Sequence, residues 1–210
     1  LELPAQQAII DLVRDLTMAE GGPGFYVPQT RGGAMHLHMM CLGMHWNAKT
    51  QRYEERRTDL DGLAVPALPP ELWRIVQSAA ETATEACASV PPIQPGACLI
   101  NHYGHSGRLG MHQDRSERPE TLRRGSPVVS ISLGDSCDFD YSATRPEATD
   151  AAMAALGHKA QTVRLDSGDV LIFGGPARML FHGVSKVHPN NRPPGLKLAP
   201  GRLNLTFREL

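Results

Sequence analysis

His112-Gln113-Asp114 and a distant His182 are residue types that can hold one divalent metal through two imidazoles and a carboxylate. In an extended chain alternate side chains share a face, so His112 and Asp114 can grip one ion from a strand or its frayed end. Three protein ligands on one side leave positions open, as a non-haem iron(II) centre needs in order to admit a bidentate co-substrate and dioxygen. By itself the spacing is a common coincidence, and with nine His in the chain surface and core histidines explain it equally well. The neighbouring chemistry narrows the choice. Read as a strand, Arg202-Leu-Asn-Leu-Thr-Phe-Arg208 turns Arg202, Asn204, Thr206 and Arg208 to one side and Leu203, Leu205 and Phe207 to the other. Asn101 and Tyr103 share a face in the same way, away from Cys98, Ile100 and His102. A five-carbon keto acid needs a cation for its far carboxylate, polar groups along its length and a metal for its keto-acid end, and a planar guanidinium suits the carboxylate better than an ammonium. Ordinary edge-strand charges would explain Arg202 or Arg208 singly, but explain both beside Asn204 less well.

These residues must be positioned by a particular set of elements. Residues 6–17, with Ile9, Ile10, Val13 and Leu16 at helical spacing, predict an amphipathic helix. Residues 35–41 read as extended, and 47–62 as a charged, turn-rich stretch. Leu72, Ile75, Val76, Ala79 and Ala83 predict a second helix with Pro70 in its first turn and an end near Ser89, so two helices should precede the strands. Short β-type runs follow at 97–103, 128–133, 137–141, 162–165, 170–173 and 203–207, the pattern of a sandwich or jelly roll buttressed by helices. An Ala-rich, acidic insert at 142–157 is expected to form a small surface helix.

With 210 residues the chain suits one domain, and no apolar run is long enough to span a membrane. A net charge of −1 argues against tight, charge-driven wrapping of nucleic acid, while leaving local basic patches at Arg52, Arg56 and Arg57 and at Arg115, Arg118, Arg123 and Arg124. Cys41, Cys87, Cys98 and Cys137 form no CxxC pair, which points to a reducing cytoplasm. The chain starts without Met, so its natural start is expected upstream and the sequence is silent on targeting. A rival chemistry is copper(I) handling by Met35-His-Leu-His-Met-Met-Cys41 with Met44-His45, because alternation puts His36, His38 and Met40 on one face. Soft core packing by adaptable Met residues explains the same stretch.

Taken together, Asn101-His-Tyr-Gly-His-Ser-Gly107, Met111-His-Gln-Asp114, Gly168-Asp-Val, Gly174-Gly175, Phe181-His-Gly183 and Arg202-Leu-Asn-Leu-Thr-Phe-Arg208 resemble, in order and spacing, the AlkB family of iron(II) and 2-oxoglutarate dioxygenases. The likeness is clear over 97–208 and fainter from 35 onward. It implies a mostly β (α+β) fold: a double-stranded β-helix, or jelly roll, with supporting N-terminal helices and a nucleotide-recognition lid. The whole chain, 1–210, would be one dioxygenase domain, with the lid at about 30–65 and the core at about 90–210. By this resemblance His112, Asp114 and His182 bind Fe(II), and Asn101, Tyr103, Arg202, Asn204 and Arg208, with Thr206 on the same face, hold 2-oxoglutarate, Arg202 taking its distal carboxylate.

The implied reaction oxidises 2-oxoglutarate with O2 to succinate and CO2, while an N-methyl group is hydroxylated and lost as formaldehyde. The implied substrates are 1-methyladenine and 3-methylcytosine in single-stranded or locally opened DNA, or in RNA, acted on by a monomer. Trp46 and Tyr53 stand seven residues apart, like an aromatic pair that contacts the flipped base and its phosphate in the family's bacterial members. Met35, Met39, Leu99 and Arg178 match positions that line the site. The chain departs from the family where bacterial members place a base-contacting acid: Ser116 stands there, with Glu117 next to it, and Arg145 alone stands near the place of a base-contacting Arg. Asp114 or Glu117 is expected to favour cationic lesions by charge. The alternatives in the same class are a tRNA or a protein side chain as substrate.

Overall fold

Period-two alternation builds the sheets and 3.6-residue periodicity the helices that back them. In the computed structural model, which describes residues 1–145 and 160–210, helix α1 (Leu3–Met18) precedes a short hairpin of β1 (Gln29–Thr30) and β2 (Gly33–Ala34), then strand β3 (His38–Leu42). A second hairpin of β4 (His45–Asn47) and β5 (Arg52–Glu54) leads to helix α2 (Pro70–Ala86). The remaining elements are β6 (Ala97–Tyr103), β7 (Leu109–His112), α3 (Pro119–Arg124), β8 (Val128–Gly134), β9 (Ser136–Ser142), β10 (Gln161–Leu165), β11 (Val170–Phe173), β12 (Phe181–His188) and β13 (Arg202–Arg208).

Two antiparallel sheets face each other, one of order β11-β8-β13-β6-β3 and one of order β10-β9-β12-β7, giving the expected jelly roll. The last strand of the chain is therefore the middle strand of the larger sheet, not an edge. Its alternation sorts it as read: Leu203, Leu205 and Phe207 join Ile9, Ile10 and Val13 of α1 and Leu72, Val76 and Ala80 of α2 in one apolar layer. Burying each of these large side chains is worth about 1.5–3 kcal/mol, so the helices fix which face of β13 turns inward. A second layer between the sheets contains Met39, Cys41, Leu99, Tyr103, Phe139 and Val184.

Four expectations are corrected. Five short strands separate α1 from α2, where the two helices were expected to precede the strands with only the 35–41 run extended between them. The second helix stops at Ala86, because a turn closed by Val90 N–H to the Cys87 carbonyl takes the residues up to Ser89. The stretch 47–62 is not all turn: its start pairs as a hairpin in which His45 faces Glu54, Trp46 faces Tyr53 and Asn47 faces Arg52. Helix α3 was not foreseen; Gly125, in the left-handed region at φ 72°, ends it. The surface helix expected in 142–157 falls, from 146 on, outside the described residues. No helix among the described residues is long and apolar enough to cross a membrane.

Candidate metal centre and nucleotide pocket

Strands β7 and β12 pair so that His112 stands directly opposite His182, with ring centroids 4.5 Å apart. The chain leaves β7 at His112, and Asp114 turns inward beyond the strand end. Its Oδ1 lies 3.5 Å from His112 Nε2 and its Oδ2 lies 3.6 Å from His182 Nε2. Ligand atoms of the three residues all lie within 4.8 Å of one another. Each imidazole spends its other nitrogen on a backbone carbonyl, His112 Nδ1 on Gly110 at 2.9 Å and His182 Nδ1 on Leu180 at 3.1 Å. A carbonyl only accepts, so Nδ1 carries the proton and the Nε2 lone pair is free to face the centre.

The electrostatics agree with a cation site. Burial brings the His182 imidazole down to about 4, which keeps it neutral. For His112 burial works downward, but the Asp114 carboxylate beside it outweighs that and the net direction is up. Burial alone would raise Asp114; the Arg208 guanidinium, 2.7 Å from its Oδ2, and the two imidazoles hold it well below the usual carboxylate range. The neutral His182 nitrogen, the His112 nitrogen beside it and an ionised carboxylate on one side of a cavity fit iron(II) with open positions.

The inner face of the large sheet carries the polar row. Across β13, Arg202 pairs with Tyr103 and Asn204 with Asn101, so all four project between the sheets, and Met39 of β3 continues the row beyond Asn101. Asn204 donates to Ser130 Oγ at 2.7 Å, and Thr206 Oγ1 donates to Asn204 Oδ1 at 2.9 Å. Arg202 is 1% exposed and spends one nitrogen on Ser132 Oγ at 2.9 Å; its Nε and Nη1 have no hydrogen-bond partner among the described residues. Its guanidinium carbon sits 5.3 Å from the centre of the Tyr103 ring, whose hydroxyl burial pushes up to about 12. A buried cation with two idle donors is costly unless an anion completes it. Arg202, Asn204, Asn101, His112 and His182 border one cavity, so the idle fork faces the same space as the two imidazoles, with Asp114 3.5 Å from one and 3.6 Å from the other. That is the fit expected of a dicarboxylate keto acid.

Arg208 is differently employed. Its Nε donates to Asp114 Oδ2 at 3.0 Å and its Nη1 to the Tyr53 hydroxyl at 2.9 Å. This links the lid hairpin to the metal site. A second pocket, about 370 Å³, opens over His112 and Asp114 between the hairpin and β7. Trp46, Met35, Met39, Tyr53 and Ser116 line it, with Arg145 at its border. The seven-residue spacing of Trp46 and Tyr53 is thus that of directly opposed hairpin partners. The Trp46 indole N–H donates to Ser116 Oγ at 3.0 Å, and His45, fully buried behind it, bonds Asp59 at 2.6 Å. Glu117, expected to present its charge to the base, is buried and paired with Arg178 at 2.8 Å, with Arg208 Nε at 3.5 Å.

Arg178 also donates to the backbone carbonyls of Asp114 at 2.7 Å and Ser126 at 2.8 Å. This approach depends on Gly125 and Gly175: a Cβ on Gly125 would stand 2.7 Å from Gly175 Cα. Sequence reasoning missed Thr30 at the end of β1 and Gln51 in the turn before β5, which line the pocket, and Ser132 beneath Arg202; no spacing signal marked them. The copper reading is corrected. Met40 is fully buried in the helix-facing layer, His38 is exposed at that strand's end, and the metal-ligand trio found among the described residues is His112, Asp114 and His182. Of the basic patches, Arg57 is buried against Asp61 and Arg124 pairs with Glu209, while Arg115, Arg118 and Arg123 stay exposed.

Comparison with known proteins bears on this geometry. The 2OG-Fe(II) oxygenase superfamily model matches residues 2–208. The chain is 41% identical to DNA N(6)-methyladenine demethylase ALKBH1C of Arabidopsis thaliana, covering 100% of this chain and 46% of that protein, so it spans just under half the plant relative's length. It is 30% identical to the alpha-ketoglutarate-dependent dioxygenase AlkB of Escherichia coli (strain K12), covering 98% and 86%. The solved structure of OsALKBH1 superposes with a TM-score of 0.87 at 40% identity, covering 100% of this chain and 93% of that one. A likeness that extends from α1 to the final strand, in sequence and in fold, means that the chain belongs to the AlkB family of 2OG-Fe(II) oxygenases.

Proposed function

We propose that this chain is an iron(II)- and 2-oxoglutarate-dependent dioxygenase that removes N-linked methyl groups from nucleobases in DNA, with RNA as the alternative polymer. The observation that carries the reading is the buried Arg202 fork, idle at two nitrogens and facing the same cavity as His112 and His182, which stand beside Asp114. Bound iron(II) would supply the centre at which 2-oxoglutarate and O2 react. Overall, 2-oxoglutarate, O2 and the methylated base give succinate, CO2 and a hydroxymethylated base, which releases formaldehyde.

The chain's own residues do the rest. His112, Asp114 and His182 offer the metal ligands; Arg202 anchors the distal carboxylate, with Asn101, Tyr103, Asn204 and Thr206 lining the row beside it. Arg208 keeps Asp114 ionised and ties it to Tyr53. Trp46 offers a flat face on which an extruded base can stack, and extrusion is required because the methyl group otherwise lies in the stack or on the pairing edge. The family resemblance nominates 1-methyladenine and 3-methylcytosine as substrates; the name of the Arabidopsis relative adds N6-methyladenine. A single chain at work in a reducing compartment, the cytoplasm in the first instance, fits its four free cysteines.

The test is anaerobic reconstitution with iron(II) and 2-oxoglutarate, followed by air and oligonucleotides that each carry one defined methylated base. Formaldehyde is expected in step with succinate for at least one DNA or RNA substrate. Succinate without formaldehyde across the whole panel would reject the reading, and turnover of peptides or of tRNA alone would move the substrate to those classes.

A further inference from the structure

Strand β7 reaches the metal site out of step with its neighbour. From His182 to Val184 is two residues along β12, whereas their partners on β7, His112 and Leu109, are three apart. One residue too many stands in β7, so Gly110 and Met111 together face Gly183 in a β-bulge. Regular alternation would turn Leu109 and His112 to opposite faces, because their separation is odd. Instead both border the same cavity between the sheets, Leu109 packing on the apolar layer there and His112 standing beside His182. The extra residue lets the strand keep its core anchor and still deliver an imidazole to the metal.

The bulge also holds the ring that it delivers. The Gly110 carbonyl accepts from His112 Nδ1 at 2.9 Å, so a bulged residue fixes the tautomer that leaves Nε2 for the metal. Room for the bulge comes from β12. A Cβ at Gly183 would stand 2.6 Å from the Leu109 carbonyl oxygen, 3.1 Å from the Gly110 carbonyl carbon and 3.1 Å from the Met111 nitrogen. All three are backbone atoms, so no side chain can rotate away to make space. Gly110 is different, since a Cβ there would meet nothing within 4 Å. Of the two glycines, only Gly183 is required by close contact.

We infer that Gly183 is a positioning residue of the metal centre: its missing side chain admits the Gly110–Met111 bulge, and the bulge sets the direction and the tautomer of His112. Gly183→Ala would press on the backbone of 109–111, and His112, next in the chain at the end of β7, is the ligand that moves. His182 is held on both sides, because β12 lies between β7 and β9. The substitution therefore costs the trio one imidazole and leaves the other ligands in place. This rests on the metal reading of His112, Asp114 and His182 and concerns how that centre is assembled, whatever substrate it serves.

The test titrates cobalt(II) alone into the metal-free protein without air and follows its visible absorption, which reports the number and kind of ligands. Gly183→Ala is expected to raise the cobalt Kd by about 10–100-fold, the range for groups that orient a metal ligand, and to give at saturation the spectrum of His112→Ala. A residue that only stabilised the fold would leave the saturated spectrum of the folded protein unchanged. Gly110→Ala should cost far less than Gly183→Ala. In the His112→Ala background Gly183→Ala should add little, because the two residues act as one unit. Thermal melting of each metal-free variant checks folding. Should Gly183→Ala fail to fold, deletion of Gly110 takes its place: it removes the extra residue, leaves Gly183 intact and is expected to keep a cooperative melt while showing the same lost imidazole. A folded Gly183→Ala or Gly110-deleted protein with wild-type Kd and spectrum, or an equal loss with and without His112, overturns the inference and leaves the metal centre standing. A wild type that binds no cobalt overturns both.

Discussion

Arg202 is the residue on which the co-substrate assignment turns, because a buried guanidinium with idle donors is stable only when completed. Arg202→Lys replaces a planar fork by a point charge and is expected to weaken 2-oxoglutarate binding by at least about ten-fold, or ~1.4 kcal/mol, in a calorimetric titration with manganese(II). The same variant should lose most of the rise in Tm that 2-oxoglutarate gives the wild type, since ligand stabilisation follows affinity by mass action. An unaltered Kd would mean that the anion sits elsewhere. Trp46 separates two contributions in the same way. Trp46→Ala removes the stacking face and should cost about 1–3 kcal/mol of oligonucleotide affinity, whereas Trp46→Phe keeps a ring and loses the N–H bonded to Ser116. Anisotropy titrations of both should show Trp46→Phe keeping most of the affinity that Trp46→Ala loses. These side chains were legible in the sequence to different degrees. Arg202 was visible because alternation with Leu203, Leu205 and Phe207 fixes its face. The commitment of Glu117 to Arg178 was not, because two residues 61 positions apart carry no local signal of contact.

Among the elements, the loop that carries Asp114 to Glu117 is the least regular part of the site, and it is held from outside by Arg178. Arg178 reaches it only because the end of α3 and the turn at Gly175 touch backbone to backbone, with Gly175 N–H donating to the Gly125 carbonyl at 2.8 Å. Arg178→Leu would leave Glu117 buried with only the more distant Arg208 Nε, at 3.5 Å, as a cation, a loss expected to stay below the ~3–5 kcal/mol of a fully broken buried pair. Urea unfolding should register that loss, and adding Glu117→Gln should recover part of it, which distinguishes an unpaired charge from simple misfolding. The strands and the first two helices were readable because their periodicities span several turns or a full strand. The hairpin of β4 and β5 was not, since its strands are three residues each, too short for alternation to stand out, so tertiary pairing and not local pattern decides them.

For the molecule as a whole, the placement of β13 at the centre of the large sheet makes that strand a structural keystone, and Glu209 is its fastening. Its carboxylate accepts hydrogen bonds from Ser126 Oγ at 2.8 Å and Gln94 N–H at 3.2 Å, and pairs with Arg124 of α3. Burial works to raise this carboxyl, but those three partners outweigh it and the folded-state pKa lies below the ordinary value. The sign follows from linkage. A carboxyl depressed in the folded state stabilises the fold fully above its unfolded pKa, near 4.3 for Glu, and that stabilisation is lost as pH falls through the lower folded value. Glu209→Gln should therefore lower stability at pH 7 by about 1 kcal/mol, the scale of a net hydrogen bond, and should have little further effect at a pH below both pKa values. Urea unfolding from pH 7 down to pH 3 measures this directly, as convergence of the wild-type and Glu209→Gln curves on the acid side. Because Glu209 joins β13 to α3, and α3 leads through Gly125 and Ser126 to Arg178, acid should loosen this fastening and the loop bearing Asp114 together; parallel curves across the whole range would show that the keystone is held by sheet pairing alone.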